Sequence, residues 1–410
     1  MDTSFKPGDC TIKKLWINSK HSRASLNIIG QCLEFSLYED LSKPFLYAEL
    51  LINDAAGTIL EGLPLIGEEL LEIEIATPGL PGISRDLNLL IYSVQNVVQT
   101  DKLKSSFFIL KACSPSLLIN SATFVSKGYK APISTIVRDL IKNYYQYQNP
   151  IEIENTKGTQ EIVIPKLRPL QAIDFLKRRA VSSKNKSSSF VFFENQNGLY
   201  FLTLEELIQN NKIGHSRTFF YDSIEDSAGQ TGADYRSIIE YKNNSRFNPI
   251  DTARNGGVYS SSFKFDLLTK TINPTFQSFG GQTGITLSGN PINTGDFYKG
   301  ISSGQNPALP NHFIPQDSSK PDSYIAESRP LKDLYIGNFQ NFTTIMVHGD
   351  TSIKAGEIVN LALFKSQGSK TEKPSMIAGS YLITKLRHRI VIGNRVNHKI
   401  ILGLVRNGYQ

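Results

Sequence analysis

Between Leu33 and Ile75 the apolar residues recur at short, strand-like spacing of period two: Leu33, Phe35 and Leu37, then Phe45 and Tyr47 with Glu49 before Leu51, then Leu71, Ile73 and Ile75. Asp54, Gly57, Gly62, Pro64 and Gly67 interrupt these runs, so the pattern predicts antiparallel strands joined by turns. Residues 87–92 and 107–112 continue it, and residues 1–115 read as a β-sandwich or barrel.

The period then changes. Ile133, Ile136, Val137, Leu140, Ile141 and Tyr144 follow helical spacing, which predicts an amphipathic helix over residues 131–147 with Pro132 in its first turn. A second helix is predicted over 169–181, with Leu170, Ile173, Phe175, Leu176 and Ala180 on its apolar side. Residues 190–194 and 199–203, hinged at 195–198, read as a β-hairpin. Residues 116–230 are therefore expected to form an α+β lobe. Strand-like spacing returns at 235–241, 257–270, 335–347, 357–364, 380–392 and 395–405, so 231–272 with 323–410 is expected to form a second barrel. Between these parts, 273–322 is nearly half Gly, Pro, Ser and Asn, yet it carries Phe276, Phe279, Ile285, Leu287, Phe297, Tyr298, Phe313 and Ile314. That apolar content favours an insertion folding over a neighbour rather than a flexible loop. The fold class is mainly β with an α+β lobe.

The length of 410 residues allows about two to four domains, and 40% hydrophobic residues supply a core for each. No stretch approaches the ~18 to 20 apolar residues of a membrane-crossing helix. Asp2, Lys6 and Pro7 stand where a signal peptide would have its apolar core, so the chain reads as soluble and made in the cytosol. A net charge of +7 permits an acidic partner such as nucleic acid. The densest basic clusters are Lys177, Arg178 and Arg179 with Lys184 and Lys186, and Lys385, Arg387, His388 and Arg389; each is expected to be a solvated face.

Candidate chemistry is sparse. Cys10, Cys32 and Cys113 are odd in number and far apart, fitting neither a disulfide framework nor a zinc spacing. His388 and His398 fall in the last two strands, His348 opens a turn, and His21, His215 and His312 lie in polar surroundings. Paired acids could run glycoside hydrolysis, and the candidates are Glu39 with Asp40, Glu68 with Glu69, Glu72 with Glu74, and Glu205 with Glu206. Neighbours on a strand point to opposite faces, and Glu72 and Glu74 sit opposite Leu71, Ile73 and Ile75 on an ordinary half-exposed strand. No catalytic, cofactor-binding or metal-ligating residue is expected.

Three stretches carry a resemblance. Phe35 to Phe45, through Tyr38, Glu39, Asp40, Lys43 and Pro44, leads on to Asp54 and to Leu60 through Glu69. Tyr235 to Tyr241 is followed by Gly256 to Asp266. Ile345 to Asp350 with Ala355 to Val359 is followed by Tyr381 to Ile383 with Arg387 and His388. In this order they resemble the baseplate central hub proteins of contractile-tailed bacteriophages, and the helix and hairpin between them are similar to the intervening domain of those hubs and of type VI secretion spike-base proteins. The variable lobe of that family falls where 273–322 departs from the pattern.

The resemblance implies two superposable tube-like barrels per chain and a homotrimer whose six barrels form a pseudo-hexameric ring, adapting a six-fold tail tube to a three-fold spike. It implies tail tube, central spike and baseplate wedge proteins as partners, DNA passing through the channel without sequence-specific binding, and a place in the virion baseplate after assembly in the host cytoplasm. The rival readings are a tail-associated peptidoglycan hydrolase, the hub of a non-contractile tail, and a nucleic-acid-binding protein, which would need basic residues interleaved with stacking aromatics.

Overall fold

The computed structural model describes residues 5–55, 57–63, 65–79, 84–100, 105–185, 187–209, 213, 217–221, 234–245, 247–257, 259–266, 268–278, 287, 290–291, 312–316, 329, 332–333, 336–337, 339, 341–363 and 377–409. The first seven strands are β1 (Thr11–Ser19), β2 (Ala24–Asn27), β3 (Cys32–Asp40), β4 (Tyr47–Asp54), β5 (Leu70–Ala76), β6 (Ser84–Thr100) and β7 (Ser105–Cys113). They pair antiparallel in the order β3-β4-β7-β6-β5-β1-β2. Alternation does what the sequence requires: on β5, Leu71, Ile73 and Ile75 are buried, while Glu72 and Glu74 face outward to Lys14 and Lys13 at 3.2 and 3.1 Å.

The lobe holds α1 (Ser116–Ala122), β8 (Val125–Ala131), α2 (Ile133–Asp139), β9 (Ile151–Ile153), β10 (Gln160–Leu167), α3 (Pro169–Lys177), β11 (Phe190–Asn195), β12 (Gly198–Thr203) and α4 (Leu204–Gln209). β11 and β12 form the expected hairpin, with β9 added parallel to β12. The first helix differs from the even 3.6-residue pattern, because α2 passes into a π-helical turn over Leu140–Tyr145. The wider turn shifts the phase by one residue. Tyr145 instead of Tyr144 is fully buried, its hydroxyl donates to the Pro44 carbonyl at 3.1 Å, and Gln146 ends the helix in the left-handed region at φ 52°. The second helix ends at Lys177, earlier than residue 181.

Gly198 sits where the hairpin turn passes the backbone before β9. Its φ is +149°, and an added Cβ would stand 2.2 Å from the Pro150 carbonyl oxygen, to which Leu199 N donates at 2.9 Å. Gly198→Ala must break this approach; urea unfolding should show a loss of about 2 kcal/mol or more, and an unchanged midpoint would contradict the geometry.

The remaining elements are β13 (Arg217–Tyr221), β14 (Ile238–Ser245), α5 (Pro249–Arg254), β15 (Tyr259–Asp266), β16 (Ile272–Ser278), β17 (Asn290–Pro291), β18 (His312–Gln316), β19 (Asn341–His348), β20 (Ile358–Leu363), β21 (Gly379–Ile392), β22 (Val396–Arg406) and β23 (Gly408–Tyr409). The order β14-β19-β22-β21-β20-β13 returns to its start through a bridge between Phe220 and Ser237, making a second ring of strands. Strand allotment differs from the sequence expectation in two places. β13, expected in the lobe, hydrogen-bonds in parallel with β20, because Phe219 completes the second core beside Val359 and Leu361. β15, expected in the second barrel, instead forms a separate sheet with β16 and β18. Most of 273–322 lies outside the described residues, but Leu287 is buried among Phe193, Leu204, Ile358 and Val405, and its N–H donates to Asn407 Oδ1 at 3.0 Å.

The terminal hairpin β21–β22 joins the two rings. The first residues of β21 pair with β20, and Lys385 to Val391 pair with β3. At the far end Asp9 bridges Asn397 and His398 N donates to Gly8 O at 2.8 Å, while Ile390 lies within the first core. One sheet of thirteen strands therefore runs through both rings.

Candidate functional site

Seven of the eight candidate acids have structural partners. Glu39 and Asp40 point to opposite faces of β3: Glu39 is buried, whereas Asp40 accepts from Ser42 N and Oγ at 2.8 and 2.6 Å. Glu69 accepts from the N–H groups of Ile66 and Gly67, at 2.9 and 3.0 Å. Glu72 and Glu74 pair with lysines as above, Glu205 accepts from the Ser189 hydroxyl, and Glu206 lies 3.0 Å from Lys184. The three cysteines are free and buried, and burial pushes Cys10 and Cys32 up to about 12 and Cys113 to about 11. Such thiols are inert at neutral pH. Among the described residues no three His, Cys, Asp or Glu side chains cluster as a metal site would require.

What the fold does assemble is a buried charged junction. Arg85 on β6 follows the inward phase of Leu87, Leu89 and Ile91, and Glu39 follows that of Phe35 and Leu37, so both charges enter the interior. Arg85 Nη1 lies 3.0 Å from Glu39 Oε1, and each side chain is only 1% exposed. Arg85 Nη2 donates to Ile353 O at 3.0 Å, and Glu39 accepts from Ala355 N at 2.7 Å and Gln196 N at 3.2 Å. A first-ring ion pair thus holds the turn before β20 and the tip of the lobe hairpin. Burial lowers the Arg85 guanidinium, and Glu39 is the foremost group opposing that shift.

A second anchor lies on the lobe side. Glu194 on β11 accepts from Ser114 Oγ at 2.6 Å, Tyr147 Oη at 2.8 Å and Leu46 N at 3.1 Å; burial raises it to about 7 against these donors. Across the junction Arg217 on β13 pairs with Asp350 and lies 3.7 Å from Glu357 Oε2, with Glu357 raised by burial to about 7.

Next to Arg85, His388 Nδ1 and His398 Nε2 share a hydrogen bond of 2.9 Å inside the shared hairpin, both rings being fully buried. Burial pulls both well down, with Arg85 adding to it, His398 to about 3. Among the described residues no third His, Cys, Asp or Glu joins the rings in a metal-binding cluster, and they are held as a neutral pair. Gly349 makes room for them: a Cβ there would come within 2.2 Å of the His398 ring.

No protein-family model matches the sequence, and no curated protein matches it either. Solved structures do. A tail protein from Neisseria meningitidis MC58 aligns over 96% of this chain and 96% of its own, with a TM-score of 0.57 and 9% identity. The chain has the fold of a tail protein. A 43 kDa tail protein of prophage MuSo2 from Shewanella oneidensis aligns over 96% and 98%, with a TM-score of 0.54 and 7% identity. Both alignments cover 96% of the chain, in keeping with the resemblance that the three sequence stretches carry.

Proposed function

We propose that the chain is a structural protein of a phage tail, the hub of its baseplate, acting by geometry and not by bond chemistry. Three copies, each with two strand rings, would place six related units around an axis and so adapt a six-fold tail tube to a three-fold spike. The observation that carries this reading is the continuous sheet through both rings. The hairpin β21–β22 and the Arg85–Glu39 pair make the two rings one stiff body, as a ring wall under axial load requires. The two tail-protein structures support the same assignment. Tube, spike and wedge proteins would be its partners, with DNA passing through the channel, in a baseplate assembled in the host cytoplasm. The engagement of the candidate acids with lysines, hydroxyls and backbone N–H groups favours this role over a peptidoglycan hydrolase.

A closed trimer should bury on the order of 2,000 Å² or more per interface. Light scattering coupled to size-exclusion chromatography should therefore return three times 45.7 kDa. A clean monomer at micromolar concentration would sink the hub assignment.

A further inference from the structure

The lobe carries a two-stranded ribbon. β8 and β10 pair antiparallel with each other and, among the described residues, with no third strand. Val125 and Ile164 turn inward to the lobe core, but Ser126, Lys127 and Gly128 are exposed in succession. A strand covered on one face alternates, so this run marks β8 as an edge whose flank of N–H and C=O groups is open.

Phe124, Ser126, Gly128 and Lys130 alternate along the chain and share the outward face of the ribbon. Phe124 is 53% exposed, and Val163 on β10 is 68% exposed. Val163 stands opposite Gly128, its Cγ2 3.9 Å from the place a Gly128 Cβ would take, so the bare glycine leaves an apolar step beside it. The charges on the ribbon are unevenly matched. Glu161 takes Lys130 at 2.7 Å and Asp139 takes Lys127 at 3.2 Å, whereas Lys166 and Arg168 join no ion pair among the described residues. Both of these cations flank the Phe124 ring instead, 6.0 and 5.7 Å from its centre.

We propose that the open edge of β8 takes an extended, acidic and apolar segment of a partner protein as a third strand. The free backbone groups select an extended chain and supply its ladder. The segment's apolar side chains cover Val163 and Phe124, and its carboxylates meet Lys166 and Arg168, which complement them in charge. A nucleic acid would need successive stacking rings, and this face offers one ring, an aliphatic side chain and the Glu161 carboxylate. That the partner is another tail protein rests on the hub reading; the strand addition itself does not.

The test is fluorescence anisotropy of a labelled peptide of alternating valine and glutamate, titrated with the full chain. Saturable binding is expected, weakened at least about tenfold by Phe124→Ser combined with Lys166→Gln and Arg168→Gln and unchanged by Lys13→Gln on the first ring. A second readout needs no variant. An added strand uses every second N–H, so methylating alternate amide nitrogens of the peptide should abolish binding in at least one of the two phases. Absence of saturable binding, equal binding by the triple variant, full binding of both methylated peptides, or binding of a valine–lysine peptide or an oligothymidylate in place of the acidic peptide would overturn the site. Failure here is separable from failure of the hub reading. A monomer that binds the peptide refutes the hub and keeps the strand addition, and a trimer that does not bind it does the reverse.

Discussion

Replacing Arg85 by Met should lower the unfolding free energy by about 3–5 kcal/mol, the cost of leaving a buried charge without its partner. Glu39 would keep the N–H groups of Ala355 and Gln196, but its countercharge at 3.0 Å would be gone and Ile353 O would lose its donor. Arg85 also touches both rings, so the loss is expected throughout the molecule rather than in the first ring alone. Changing both partners, Arg85→Met with Glu39→Leu, should recover much of the stability, because no charge then remains buried. Urea denaturation of the two single variants and the double variant closes the cycle. If Arg85→Met cost under about 1 kcal/mol, the junction would not be the clamp described.

Acidification should reveal the histidine pair. His388 and His398 are lowered in the folded chain from an ordinary 6.5, so only the unfolded chain takes up their protons as pH falls. Their contribution is complete above pH 6.5 and is lost below it, down to about pH 3 for His398, at about 1.4 kcal/mol per pH unit for each ring. Glu194 and Glu357 act oppositely. Raised from 4.5 to about 7, they favour the folded state below pH 4.5 and lose that contribution as pH rises toward 7. Between pH 4.5 and 6.5 the two pairs offset each other. His388→Gln should therefore reduce the rise of stability with pH in this window by about 1.4 kcal/mol per unit, and Glu194→Gln should increase it by a similar amount. Denaturation series at several pH values measure both slopes; a His388→Gln profile parallel to the parent would show that the pair does not titrate on unfolding.

Part of the junction was legible in the residues. A charge in the inward phase of a strand, Glu39 after Phe35 and Leu37 or Arg85 before Leu87 and Leu89, marks a buried ion whose partner must come from elsewhere. Neither residue announces that partner, since 46 positions separate them and the pairing depends on strand order. His388 and His398 carry the same signal, each alternating with Leu386 and Ile390 or with Ile400 and Leu402. Glu194 gave no such sign, because every residue of β12 beside it is buried and alternation carries no contrast there.

By itself the sequence determined what depends on near neighbours. Period-two alternation made the strands of both rings, helical spacing made α2 and α3, and Asn195 to Gly198 made the hairpin turn, all through interactions within a few residues. It also determined the mainly β class and the order of the parts. Only the tertiary structure decided that β13 leaves the lobe for the second ring, that β15 leaves the ring for a small sheet, and that one terminal hairpin serves both rings. The physical reason is that strand pairing is set by which edge and which apolar face remain to be covered, a property of the assembled sheet that no local window of residues contains.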